Sequence, residues 1–223
     1  MDVKSLYENK YAFAGMEVFD AYERNRLLKR IAPGFCKPGM RLVDLGCNDG
    51  VVAEYFMRLG LDVAGMDISA AAIARARQRG IKDLRQGDVE QPLPFGDEEC
   101  DAVFWGDNVE HLFQPLKVLA EVRRVLKPGG ILIVSAPNMG CIWYRICYLF
   151  SGMIRKTECK DSDPWEWQHI RFFNRRVMQR FLEAGGFKTV RFSGCSSNTV
   201  LDLLSRLRPS LFASVMVVVA KKT

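Results

Sequence analysis

Ten consecutive residues constrain this chain more than any others: Arg41-Leu42-Val43-Asp44-Leu45, then Gly46-Cys47-Asn48-Asp49-Gly50. The first five form a short, largely apolar run of the kind that suits a strand buried on both faces. The next five carry two glycines, which allow a sharp turn and a close approach of backbone to a ligand. Beyond them Val51, Val52, Tyr55, Phe56 and Leu59 recur at helical spacing, and Gly60 stands where a left-handed cap is expected. A strand, a glycine loop and a helix in that order open a parallel α/β sheet, with a ligand expected at the loop.

The alternation continues downstream. Apolar runs at 61–66, 102–105 and 131–134 predict further strands, and a short one is expected at 83–86. Between them, Ser69 is an expected N-cap for a helix over 70–79, and Leu119, Val122, Val125 and Leu126 give an inward face to a helix over 116–126. Lys127-Pro128-Gly129-Gly130 reads as the turn into the fifth strand. Upstream, the spacing predicts a helix over 14–31, stopped by Pro33-Gly34. Residues 140–167 are aromatic-rich and irregular, as an insertion over the sheet would be. Asn174 then caps a helix that Gly185-Gly186 ends, and strands are expected at 189–192 and 213–220 with no clear crossover helix between them, although 200–207 could supply one turn or two.

With 223 residues and 48% hydrophobic content, the chain can bury one substantial core. The formal net charge is +6, but the basic residues come in small groups such as Arg123-Arg124, Arg155-Lys156 and Arg175-Arg176. Without a polybasic run, nucleic acid is not the expected substrate. Seven cysteines form no C-x-x-C pair and no zinc spacing, which fits reduced thiols packed as small apolar groups in a cytoplasmic protein. The N-terminus lacks the apolar core of a signal peptide, and no stretch reaches the roughly 18 apolar residues of a membrane span. The nearest candidate, 142–154, is short and interrupted by Arg145. It reads equally as a helix covering an acceptor pocket, a peripheral membrane contact or a dimer contact.

Charge narrows the ligand. A dinucleotide fingerprint would place glycines at 46, 48 and 51, where this chain has Gly46, Asn48 and Val51. Asp44 and Asp49 would repel a pyrophosphate, whereas Asp44 suits an ammonium group. Asp67 ends the second strand, where an acidic side chain takes two ribose hydroxyls.

Taken together, these segments resemble the motifs of class I S-adenosylmethionine-dependent methyltransferases. Residues 43–50 resemble their first motif, and Gly65-Met66-Asp67-Ile68-Ser69 the next, with its ribose-binding acid. Gly87-Asp88-Val89, Leu93-Pro94-Phe95 and Cys100-Asp101-Ala102-Val103 resemble the adenine-binding segment. Asn108-Val109-Glu110-His111-Leu112 and Val125-Leu126-Lys127-Pro128-Gly129-Gly130 complete a series covering about 41–138. The one departure is Asn48, where the family usually has glycine; asparagine tolerates left-handed backbone. The resemblance implies a Rossmann-like α/β fold: a mostly parallel seven-stranded sheet, its last strand antiparallel, with helices on both faces. It implies S-adenosyl-L-methionine as cofactor, bound by Asp44, Gly46, Cys47, Gly50, Asp67, Ile68, Asp88, Val89 and Gly106. It also implies one domain over 1–223, divided into an N-terminal helical cap (1–35), a cofactor-binding half (36–138), an insertion or lid (139–173) and a C-terminal helix with strands (174–223).

Two finer resemblances concern the acceptor. Asp107-Asn108-Val109-Glu110-His111 is similar to the E-x-x-E-H segment of ubiquinone-pathway O-methyltransferases, with Asp for the first Glu. Ala136-Pro137-Asn138 and Trp165-Glu166-Trp167-Gln168-His169-Ile170-Arg171-Phe172-Phe173 resemble the branch holding methionine-biosynthesis W-type proteins and methyltransferases of glycan or lipid pathways. The expectation is O-methylation of a small-molecule or lipid-linked acceptor, with a non-catalytic binding or regulatory partner as the alternative. A hydroxyl acceptor benefits from a base, and His111 and His169, the only histidines, are the catalytic candidates. The ubiquinone-pathway resemblance would let Asp107, Glu110 and His111 hold a divalent ion, but three such groups more often anchor a loop, and no metal site is assigned. Trp105 and Phe104 are expected in the core, and Cys47 as a small residue without nucleophilic function.

Overall fold

The computed structural model of the chain describes residues 18–153 and 169–223. Its strands are β1 (Arg41–Leu45), β2 (Asp62–Asp67), β3 (Asp83–Gln86), β4 (Cys100–Gly106), β5 (Leu126–Pro137), β6 (Phe187–Cys195) and β7 (Val215–Lys222). They form one sheet in the order β3-β2-β1-β4-β5-β7-β6. β7 pairs antiparallel with both neighbours, and every other pair is parallel, as expected for this fold. The helices are α1 (Glu23–Ile31), α2 (Val51–Arg58), α3 (Ala70–Gln78), α4 (Pro115–Val125), α5 (Ile142–Ser151), α6 (Arg175–Ala184), α7 (Thr199–Ser205) and α8 (Pro209–Phe212).

The pleat explains why the central strands read as unbroken apolar runs. Along β4, Val103 and Trp105 join one buried cluster while Ala102 and Phe104 join another on the opposite face. β1 divides in the same way, with Val43 and Leu45 on one face and Leu42 on the other. Helices cover both faces, so neither set of side chains meets water. The expected caps form: Ser69 Oγ accepts from Ala72 N–H at 3.2 Å, and the Asn174 side chain accepts from Val177 N–H at 3.0 Å.

Several expectations are corrected. The N-terminal helix begins only at Glu23, because Tyr22 is extended and a single 3-10 turn, Phe19–Ala21, precedes it; residues before 18 lie outside the described ones. Lys127 to Gly130 is not a turn before β5 but a bulge inside it. Cys100 pairs with Leu126 and Ala102 with Ile131, so four residues loop out opposite one. Residues 142–151 of the insertion form α5, the helix that its apolar run allowed, while 154–168 lie outside the described residues. β6 and β7 are joined by two short helices, α7 and α8. Among the described residues no helix is long and apolar enough to cross a membrane. Of the described cysteines, five are buried and Cys147 is half-buried; all are free thiols.

Candidate active site

The strand order reverses between β1 and β4, which leaves a crevice at the carboxyl ends of the strands. A cavity of about 500 Å3 lies there, lined from the first loop by Asp44, Gly46, Cys47 and Asn48, from β2 by Asp67 and Ile68, and from the loop after β3 by Asp88 and Val89. Gly106, Asp107, Asn108 and His111 line it after β4, and Tyr22 and Arg24 line it from the N-terminal segment.

The loop is shaped for this. Asn48 holds a left-handed φ of +50°, so asparagine fills the place of the family's glycine without changing the backbone. Gly50, also left-handed at +80°, caps α2; a Cβ on it would lie 2.4 Å from Ile81 and 3.0 Å from Ala76. Its requirement is packing, and it does not line the cavity. Gly46 does line it, and its bare Cα admits the Asn108 side chain, whose Nδ2 would lie 3.1 Å from a Cβ.

The carboxylates divide by environment. Asp44 is 2% exposed, and its Oδ2 has no hydrogen-bond partner. Burial raises its pKa to about 7, against the nearby Arg24 charge and a hydrogen bond from Ala53 N–H; the Asp67 charge raises it further. A buried, unpartnered carboxylate oxygen in a cavity wall is costly unless a cationic group completes it. Asp67 is held firmly: Oδ2 accepts from Asn48 N–H and Oδ1 from Ser69 N–H, each at 2.9 Å. Asp88 Oδ1 accepts from Glu90 N–H at 2.9 Å, which fixes its loop. Asp49 departs from expectation. It is buried against Arg79, with Nη2 at 2.5 Å, and accepts from Val51 N–H, so the charge argument against a pyrophosphate rests on Asp44 alone. Burial and the charges of Asp44 and Asp67 push the Cys47 thiol well above its usual range, which keeps it protonated and unreactive.

Arg24 carries no motif and was invisible to sequence reasoning. Its Nη1 lies 2.8 Å from Asp107 Oδ2, its guanidinium sits 5.7 Å from the centroid of the Phe104 ring, and its side chain is 15% exposed. The single clue was an arginine on the inward-turned start of the N-terminal helix.

Beyond the cofactor loop, His111 ends a single 3-10 turn, Val109–His111, at the rim of the cavity. The His169 ring meets it edge-on, 4.6 Å between centroids, and His169 Nε2 lies 3.9 Å from the buried Glu110 carboxylate. The strand-like segment carrying His169 is docked by Ile170 and Arg171, whose N–H groups both donate to the Glu110 carbonyl at 3.0 Å. Ligand atoms of Glu110, His111 and His169 lie within 4.8 Å of one another. Two imidazoles and a carboxylate at that spacing suit a divalent cation by donor chemistry. The set that the ubiquinone-pathway resemblance implied does not assemble: Asp107 turns to Arg24 and to Ser135, which donates at 2.6 Å, and His169 stands in its place. Trp105 and Phe104 are buried as expected; Trp105 Nε1 donates to Asn108 Oδ1 at 3.0 Å.

The methyltransferase domain family matches residues 43–134. The ubiquinone biosynthesis O-methyltransferase of Hahella chejuensis is 34% identical over 74% of this chain and 69% of its own length. That of Cereibacter sphaeroides is 36% identical over 73% of this chain. This chain spans less than two thirds of some relatives, 66% of the Cereibacter sphaeroides protein and 64% of the one from Dinoroseobacter shibae. A SAM-dependent methyltransferase from Archaeoglobus fulgidus superposes with a TM-score of 0.67 over 99% of this chain and all of its own, at 22% identity. The [4+2]-cyclase SpnF has the same fold, with a TM-score of 0.62 over 88% of this chain and 80% of its own at 21% identity. The chain belongs to the class I S-adenosylmethionine-dependent methyltransferases, whose cofactor is S-adenosyl-L-methionine.

Proposed function

We propose that the chain transfers a methyl group from S-adenosylmethionine to a hydroxyl of a small-molecule or lipid-linked acceptor in the cytoplasm. The observation that carries this reading is Asp44, a buried carboxylate with an unpartnered oxygen in the wall of a cavity that His111 also lines. Asp44 would take the cofactor's ammonium and Arg24 its carboxylate. Asp67 would accept from the ribose hydroxyls, and Asp88 from the adenine amine, with Ile68 and Val89 packing beside the ring. Gly46 and Gly106 would keep side chains away from the cofactor, Cys47 would supply loop backbone, and Gly50 would hold the loop in shape from behind.

When bound, the cofactor supplies a methyl group on positively charged sulfur for in-line displacement. The chain's own task is to align the acceptor, exclude water and receive the hydroxyl proton. We assign that proton to an imidazole nitrogen of His111, with the Glu110 carboxylate, 3.9 Å from the adjoining His169, to offset the positive charge. The chain is read as a single methyltransferase domain, in which Tyr22 and Arg24 close the cavity from the N-terminal side.

Calorimetric titration with S-adenosylmethionine, followed by radiolabelled methyl transfer into cell extract, tests the reading. Binding together with a labelled product supports it. Binding without product from any extract favours a non-catalytic partner that shares the fold, and absence of binding overturns the cofactor assignment.

A further inference from the structure

Three short helices stand at the carboxyl end of the parallel strands, the end of the sheet that holds the cavity. α5 leaves the carboxyl end of β5, and α7 and α8 join the end of β6 to the start of β7, which runs the other way. α5 has no buried residue, although it reads Ile-Trp-Tyr-Arg-Ile-Cys-Tyr-Leu-Phe-Ser. Leu149 is 76% exposed and Phe150 83%, with Trp143 and Tyr148 beside them. A second apolar face lies on α7 and the residues just beyond it. Leu203 and Val200 on α7 are 61% and 66% exposed, and Leu207 just beyond is 79% exposed. Large apolar side chains this exposed on two neighbouring helices suit a surface that meets a partner.

The two faces are held together. α8 packs against both α5 and α7, Asn138 Nδ2 donates to the Ala213 carbonyl at 2.8 Å, and Cys141 Sγ lies 3.7 Å from the Phe212 carbonyl. Their charge has one sign. Arg145, Arg206 and Arg208 are exposed, and the single acid among these three helices, Asp202, is paired with Arg206 at 3.8 Å. Aromatic and leucine side chains among arginines suit the boundary of an anionic bilayer, where apolar groups enter the acyl region and cations meet headgroups.

We propose that α5 and α7, bridged by α8, form a docking face for an anionic lipid bilayer. Docking there sets the cavity edge of the sheet toward the membrane, so a lipid-borne acceptor reaches His111 without leaving the bilayer surface. A second copy of the chain is the weaker occupant, because a two-fold contact would set this arginine-bearing face, whose single acid is already paired, against the same face of like charge. Docking itself needs neither cofactor nor turnover; only the approach of an acceptor to His111 rests on the methyl-transfer reading.

The test is flotation of the full chain with vesicles of phosphatidylcholine alone and of phosphatidylcholine mixed with phosphatidylglycerol. Flotation is expected with the mixed vesicles and little with the neutral ones. Leu149→Glu with Phe150→Glu, and separately Leu203→Glu with Leu207→Glu, should each weaken binding by about tenfold or more. Arg208→Glu should weaken it by about fivefold or more. All these positions are exposed, and wild-type affinity for S-adenosylmethionine in each variant certifies its fold and keeps this outcome apart from that of the methyl-transfer reading. The proposal is overturned if the mixed vesicles float no protein or if the substitutions leave flotation unchanged. It is also overturned if light scattering shows a dimer that these substitutions dissolve, which would assign the face to a second copy.

Discussion

On the cofactor side of the cavity, Asp44 and Asp67 end buried central strands, and Asp67 is fixed by two backbone N–H groups. On the acceptor side, His111 hangs from one 3-10 turn, and His169 is held beside it by a short segment tied to the Glu110 carbonyl. The first side is set by the sheet itself, so changes there act on cofactor affinity and on stability together. The second is set by a 3-10 turn and a docked segment rather than by strands; Val109 and Glu110 are buried there, while His111 itself lines the cavity, so a change confined to that imidazole is expected to act on turnover more than on the fold.

The sharpest way to break that division is His111→Gln. Turnover should fall by about 10²–10⁴-fold, with melting temperature and cofactor affinity close to wild type. An equal loss in cofactor affinity would mean that the two sides are one unit.

Next in size is Asp44→Asn, which should lower affinity for S-adenosylmethionine by about 100-fold in calorimetry. Its effect on stability should have the opposite sign. The Asp44 pKa is about 7 in the folded chain and ordinary when unfolded, so between those values the folded state binds more protons. Stability from this group is therefore full at low pH and lost as pH rises through about 7. Asparagine removes that loss, and the cofactor-free variant should melt higher than wild type at pH 8. The same titration makes wild-type cofactor affinity fall by up to about tenfold per pH unit below that pKa, because the ammonium requires the charged carboxylate. A flat affinity between pH 5 and pH 8 (roughly the range that spans this titration) would remove Asp44 from the ammonium site.

Gly50→Ala tests whether the loop is held by packing. Its Cβ would meet Ile81 at a left-handed φ, and denaturant titration should show a loss of about 1–3 kcal/mol. Asn174→Ala, remote from the cavity, should cost about 1 kcal/mol through the lost cap on α6 and leave cofactor affinity unchanged. Smallest of all is Asn48→Gly, expected to change stability by less than about 1 kcal/mol because the backbone is already left-handed there.

Much of the cofactor side was legible from residues 41–88 because its signals are local. Apolar runs of strand length, glycines at φ-positive turns, and acids at strand ends all lie within a few residues of what they shape. Where reading failed, a distant partner had decided the matter. Asp49 looked like a ligand-facing charge until Arg79, from the end of α3, was seen to bury it. Lys127 to Gly130 looked like a turn because only pairing with β4 reveals a bulge. Arg24 and Asp107 are 83 positions apart and share no pattern.

The sequence by itself determined the order of strands and helices, the loop from Asp44 to Gly50 and the acids set around it, since these follow from backbone preference and hydrophobic period. Tertiary structure alone decided which of those acids stays unpartnered, that His169 and not Asp107 stands beside His111, and that α5 and α7 share one exposed apolar edge. Such outcomes depend on which side chains close packing brings together and which it leaves facing outward, and no local spacing encodes that.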